Sequence, residues 1–364
     1  MNIMAIAGDA GGARSLIPVL RTLRSRGHQV RCRGYAAAPA IWKSEMKEFV
    51  IEPIEPISID GIDALFTATS VQPEMWEIHY IQAAQYRRIP SLSFVESWAN
   101  YHQRFEGADK TRVLPRLIAV PDAYAREGMI NDGFLPEILH ITGHPGLDDL
   151  KPLGMDEKKS AKRDLCKALG IDFEEDTKQI LFVGQPLSQI SSREVWGFDE
   201  HEAWPQIVAS LDHAFSARRE TGRLIVKPHP RESPSAYNTW PPHSSFIRPY
   251  VVEDPTVLPR RAAAAGDLVV GFNSILLLEA AMMKIPVISY QPNLRIPDAL
   301  PSNHWGISRP IFHLKDLDKA FAEELWDASA ADQRKAAYRH LPLHEQAAVR
   351  LANLIEELPT EVPL

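Results

Sequence analysis

Short apolar runs alternate along this chain with stretches of helical spacing. Residues 3–7 predict a buried strand, a turn through Gly8, Asp9, Ala10, Gly11 and Gly12 follows, and residues 14–25 set Leu16, Val19, Leu20 and Leu23 on one helical face. Gly27 ends that helix and residues 29–33 begin a second strand. Strand-like runs recur at 63–70, 89–96, 117–120 and 138–142, with a helix at 74–87 between the first two. A mixed-charge stretch at 156–176 holds a helix at 160–169. The alternation then resumes with strand 180–183, helix 202–218, strand 224–226, strand 268–271, helix 275–283 and strand 286–290. Residues 314–358 are mainly helical and end in an amphipathic helix at 344–358, with Ala347, Val349, Leu351, Leu354 and Ile355 apolar. Apolar strands alternating with helices predict parallel sheets covered on both faces, so the fold class is α/β.

The series runs twice, and 364 residues exceed one ordinary domain. Two Rossmann-like domains are expected, at 1–150 and 151–340, with the helix in 341–364 packing back across them. A formal net charge of −7 speaks against a general nucleic-acid binder. Cys32 and Cys166 have no metal-ligand spacing and make no disulfide framework, which fits a reducing cytoplasm. The apolar start is cut short by Asp9, and no uninterrupted apolar run approaches the ~20 residues of a membrane span. A cytoplasmic protein is expected. Arg21, Arg24, Arg26, Arg31 and Arg33 form a basic stretch that would suit an anionic acceptor or peripheral contact with headgroups at the inner membrane face.

The strand at 224–226 stops at Lys227-Pro228-His229-Pro230. Two prolines stiffen this turn and bias Lys227 and His229 toward extended backbone, at the strand end where open α/β sheets bind ligands. Lys227 supplies a compact positive charge, and His229 a hydrogen bond or a proton. Gly184 and Gln185 end the strand before it; Asn273 and Ser274 open a helix whose N–H groups suit a phosphate. Glu279 lies in that otherwise apolar helix, where a carboxylate needs a partner or ribose hydroxyls to accept from. In the first half, Asp9 and Glu96 follow strands and are candidate bases for an acceptor hydroxyl. Trp98, Asn100 and Tyr101 could line an acceptor pocket or anchor a loop, and His144 sits in a Gly-His-Pro-Gly turn. No acidic pair is placed to bind Mg²⁺ at the donor site, so no metal is expected.

LFVGQPLS (181–188), VKPHPRE (226–232) and GFNSILLLEAAMMKIPVI (271–288) resemble the histidine-proline and serine motifs of bacterial sialyltransferase- and polysialyltransferase-like enzymes, which use CMP-activated acidic sugars. CDP-glycerol and Kdo transferases share a similar turn. Gly-His-Pro at 143–145 and the Glu-Ala-Ala after Ser274 are similar to UDP-GlcNAc 2-epimerases and lipid A disaccharide synthase. The order of elements over the whole chain looks like the GT-B glycosyltransferase architecture, two Rossmann-like domains facing a central cleft. The resemblance implies that His229 contacts the donor phosphate and helps the leaving group depart, and that Asn273 and Ser274 hold the phosphate. The sialyltransferase relatives take their base from an acid-acid-glycine motif. Ile59-Asp60-Gly61 lacks the first acid, so the base stays open among Asp9, Asp60 and Glu96.

The expected activity is metal-independent transfer of a sugar from a nucleotide-activated donor to a hydroxyl of a glycan or lipid-linked acceptor, in surface polysaccharide biosynthesis. A CMP-type acidic sugar comes first, a UDP- or CDP-linked one second, and no cofactor is needed beyond the nucleotide-sugar co-substrate. A nucleotide-sugar 2-epimerase or hydrolase of the same fold is the alternative, and a non-catalytic sugar-nucleotide-binding protein the alternative of another class.

Overall fold

The computed structural model describes residues 1–71, 74–107, 110–229, 231–237, 246–254, 257–339, 341 and 346–358. They divide into two compact units, Met1–Asp149 with the C-terminal helix Ala347–Glu356, and Leu150–Leu341.

The first unit is built on a seven-stranded sheet of β1 (Asn2–Ala7), β2 (Gln29–Gly34), β3 (Ile51–Glu52), β4 (Ala64–Thr67), β5 (Ser91–Phe94), β6 (Leu117–Val120) and β7 (Leu139–Ile141). All pairs are parallel, in the order β3-β2-β1-β4-β5-β6-β7. Both faces are buried, as the unbroken apolar runs require. Ile3, Ala5 and Ala7 pack with Leu16, Leu20 and Leu23 of the Ala10–Ser25 helix, while Met4 and Ile6 pack with Ile78 and Ile81 of Trp76–Arg87. The first helix begins at Ala10 rather than at 14, so Gly11 and Gly12 belong to it instead of to the turn. A Cβ on Gly12 would meet that of Ala68 at 2.7 Å; the missing side chain lets helix and strand close. The Ala347–Glu356 helix lays Leu351 and Ile355 on the same core, and the N–H groups of Ala347 and Ala348 donate to the Asp148 carboxylate at 3.0 and 2.8 Å. Residues 344 and 345 of the expected helix lie outside the described residues.

The second unit has a six-stranded parallel sheet of β8 (Lys178–Val183), β9 (Gly222–Lys227), β10 (Ile247–Val251), β11 (Leu268–Gly271), β12 (Val287–Tyr290) and β13 (Arg309–Ile311), in the order β10-β9-β8-β11-β12-β13. Ile180, Phe182, Leu224, Val226 and Val270 pack against Ile207, Leu211 and Phe215 of the Glu200–Arg218 helix. In each sheet the strand order reverses once, between β1 and β4 and between β8 and β11. The loops leaving such a pair run apart and open a crevice at the carboxyl edge. Among the described residues no helix is long and apolar enough to cross a membrane.

Candidate functional site

In the second unit the switch point is bridged by an amide pair. Gln185, just past β8, donates through Nε2 to Asn273 Oδ1 at 3.0 Å and accepts from the Asn273 N–H, also at 3.0 Å. This fixes the entry to the Ile275–Met282 helix. Ser274 is its N-cap, and Ser274 Oγ accepts from the Leu276 N–H at 3.3 Å. The hydroxyl proton remains for another acceptor. The Asn273 N–H and Oδ1 are engaged by Gln185, which leaves the Ser274 hydroxyl and the side-chain amide protons of Asn273 as the donors there.

One strand away, β9 delivers Lys227 and His229. Lys227 is half-buried, its backbone is bonded in the sheet, and its ammonium makes no hydrogen bond or salt bridge among the described residues. Burial holds its ammonium below the ordinary lysine value, and Asp254 works in the opposite direction. His229 is also half-buried, and its Nδ1 accepts the Arg231 N–H at 3.1 Å. An Nδ1 that accepts carries no proton, so the neutral ring holds its proton on Nε2 as a donor. Burial, and then Arg231, hold this imidazole below the usual histidine value, which favours that neutral form. Pro230 lies outside the described residues.

Glu232 holds this loop, a role the sequence reading missed. Its Oε2 accepts the His229 N–H at 2.8 Å, its Oε1 accepts the Tyr237 hydroxyl at 2.7 Å, and its own N–H donates to the His229 carbonyl at 2.8 Å. Gly184 continues the β8–β9 ladder, its N–H donating to Lys227 O at 3.0 Å, directly beneath this carboxylate. A Cβ at 184 would lie 2.5 Å from Glu232 Oε2, 2.6 Å from the Tyr237 hydroxyl and 3.2 Å from the Pro228 Cα. Gly184→Ala is therefore expected to cost about 1–3 kcal/mol by overpacking and to loosen the His229 turn, measurable as a lower urea midpoint. Glu279 lies one turn into the helix, its Oε1 accepting Arg260 Nη2 at 2.7 Å. Arg260 is thus the partner that a carboxylate in this apolar helix needs, the first of the two alternatives that the sequence leaves open.

In the first unit Asp9 is the half-exposed carboxylate at the switch point. It occupies the N-cap position of the Ala10–Ser25 helix without capping it, and its Oδ2 accepts the Val71 N–H, past β4, at 3.2 Å. Glu96 is a different kind of acid. Its Oε1 accepts Arg104 Nη1 at 2.8 Å and its Oε2 the Thr69 hydroxyl at 2.9 Å, with both charged side chains under a tenth exposed. Both of its oxygens are thus engaged in a buried place. Trp98 and Tyr101 are buried loop anchors rather than a sugar platform; Trp98 Nε1 donates to Asp122 and its ring stacks on His144. His144 is buried in turn, its Nε2 on the Glu96 carbonyl at 3.2 Å. Asp60 is exposed in the segment before β4, at the amino edge of the sheet, and pairs with Arg87.

Sequence reasoning also missed Glu77. It is buried on the Trp76–Arg87 helix, where it accepts the Tyr35 hydroxyl at 2.6 Å and the Ser70 hydroxyl at 2.7 Å. Burial pushes its carboxyl up to about 7, with Asp9 adding to the rise and the two hydroxyls opposing it. The only signal in the sequence is an acid at a core-facing helical position, in register with Tyr80 and Ile81.

No family model matches the chain, and no curated protein matches it in sequence. Solved structures do match. UDP-GlcNAc 2-epimerase from Neisseria meningitidis, bound to UDP-GlcNAc, superposes with a TM-score of 0.67 at 12% identity, over 98% of this chain and 100% of that one. The fold is GT-B. MurG from Acinetobacter baumannii shares it with a TM-score of 0.58 at 12% identity, covering 98% and 99% of the two chains. The glycotransferase of kitacinnamycin shares it at 0.59 and 15%, with the same coverage. At these identities the likeness concerns the GT-B fold alone.

Proposed function

We propose that this GT-B chain is an enzyme of nucleotide sugars, in which the Leu150–Leu341 unit binds the donor's phosphates and Met1–Asp149 supplies the acceptor's base. The observation that carries the reading is Lys227, a half-buried ammonium without an ion-pair partner among the described residues, beside a histidine whose Nε2 is set as a donor. A half-buried ammonium that has only the field of Asp254 to offset its burial gains from a bound anion, and a phosphate supplies one. Ser274 and the start of the Ile275–Met282 helix add donors on the other side of the switch point.

The reaction is transfer to an acceptor hydroxyl, metal-independent, with Asp9 as base and the charge on the departing phosphate stabilised by Lys227 and His229. Asp9 is preferred because it follows β1 at the switch point, whereas Asp60 lies at the amino edge of its sheet and Glu96 is buried against Arg104. A uridine diphosphate donor ranks ahead of the CMP-type acidic sugar, whose support is the proline-histidine resemblance alone, whereas the Neisseria neighbour is bound to UDP-GlcNAc. That neighbour also favours a second reading, epimerisation at the same site. Thermal-shift titration with UDP, CDP, CMP and GDP ranks the bases, since a ligand at about 100 times its Kd adds about 2.7 kcal/mol. No stabilisation by any of the four would remove the reading. Incubation with the stabilising donor alone separates the two reactions: an epimerase converts it readily, a transferase releases nucleotide only slowly.

A further inference from the structure

The buried group around Glu77 contains more hydrogen bonds than an ionised carboxylate can supply with protons. Tyr35 and Ser70 each donate their one hydroxyl proton to Glu77, at 2.6 and 2.7 Å, yet their own oxygens stand 2.5 Å apart. With both protons turned to the carboxylate, two lone pairs would face each other across that distance. A third proton, on Glu77, closes the ring: the acid donates to Ser70, Ser70 to Tyr35, and Tyr35 back to the other carboxyl oxygen.

This ring braces Asp9 from two directions. Tyr35 lies against Gly8, where a Cβ would run into the phenol ring, and Gly8 immediately precedes Asp9. Ser70 immediately precedes Val71, whose N–H is bound by Asp9 Oδ2. Among the described residues the titratable groups acting on Glu77 are Tyr35 past β2 and Asp9 past β1; one turn along its helix, Tyr80 accepts from Arg33 of β2 at 2.9 Å. Arg33 itself is paired with Glu52. Nothing in that set offers Glu77 a salt bridge.

We propose that Glu77 is a neutral carboxylic acid in the folded protein below neutral pH and a positioning residue for Asp9, and that losing its proton as the pH rises opens the ring and loosens its hold on Asp9. The positioning half rests on the reading of Asp9 as the base; the proton count does not. Burial raises the folded value to about 7, so the stability held by this proton is complete at acid pH and is lost as pH rises through neutrality.

Glu77→Gln tests it, because a primary amide copies the donor and acceptor of a protonated acid. The expected result is a melting temperature within about 2 °C of the unsubstituted protein at about pH 6, with a weaker fall between about pH 5 and 8. Turnover of the variant should persist to higher pH. A loss of about 5 °C or more at about pH 6, with the pH dependence unchanged, would overturn the proposal. Should Glu77→Gln not fold, the unsubstituted protein decides the matter by carbon NMR of labelled glutamate carboxyls. The signal perturbed by Tyr35→Phe must keep its acid-form shift at about pH 6, and a carboxylate shift there refutes the idea. If Asp9→Asn leaves turnover intact, the base assignment fails while the melting and NMR results stand.

Discussion

His229→Ala is expected to lower turnover by about 10²–10³-fold while leaving the unfolding midpoint nearly unchanged. The imidazole contributes one backbone-directed bond, from the Arg231 N–H, and that amide is exposed enough for water to replace it. The bond anchoring the loop to Glu232 comes from the residue's backbone N–H and survives truncation. What is lost is the Nε2 donor, in a half-buried place where a donor aimed at developing phosphate charge has its largest effect. His229→Gln separates two ways of losing it. A glutamine amide can still donate, so partial recovery of kcat means that a neutral histidine acts by hydrogen bonding. No recovery, with turnover of the unsubstituted enzyme falling as pH rises through the lowered histidine value, means that it delivers a proton. Retention of full activity by His229→Ala would remove the residue from the reaction.

Much of this architecture can be read from the residues, and the reasons for the gaps are specific. β1 from Ile3, β8 from Ile180 and β11 throughout are apolar runs because both faces of each sheet are covered there, and their polar terminators Asp9, Gln185 and Asn273 stand at the carboxyl edges as the topology requires. β10 escaped notice because it is an edge strand, two of whose five residues are exposed and one of which is Pro249. The two-residue β3 is too short to carry a period. Gly11 and Gly12 read as turn residues by composition, yet both belong to the helix, and Gly12 serves a close helix–strand contact that only the fold reveals. The site was legible where strand end and residue type coincide, as at Lys227 and Ser274. It was illegible where function depends on a partner: the occupant of the Glu96 carboxylate is Arg104, in a separate short helix, and the ring around Glu77 draws on residues 35, 70 and 77.

Arg104→Met should destabilise the first unit by about 3–5 kcal/mol, because it strands the Glu96 carboxylate in a buried place without its counter-charge. Arg104 also donates to Thr69 at 3.0 Å and to the Ala99 carbonyl at 3.1 Å, so three acceptors lose a donor together. Urea unfolding followed by a probe in the first unit reads the effect, since two units need not melt in one transition. The pair is separable from the charge by a double substitution. Glu96→Leu with Arg104→Met removes both ions and refills their volume with apolar atoms, which is often neutral or stabilising for a buried pair, so the double variant should be more stable than Arg104→Met alone. Glu96→Gln completes the argument. As a structural partner of Arg104, Glu96 makes this change destabilising, because the guanidinium keeps its burial and loses its counter-ion. If Glu96 were instead the group that deprotonates the acceptor, the amide would abolish turnover in a protein as stable as before, and the assignment of the base to Asp9 would have to be given up.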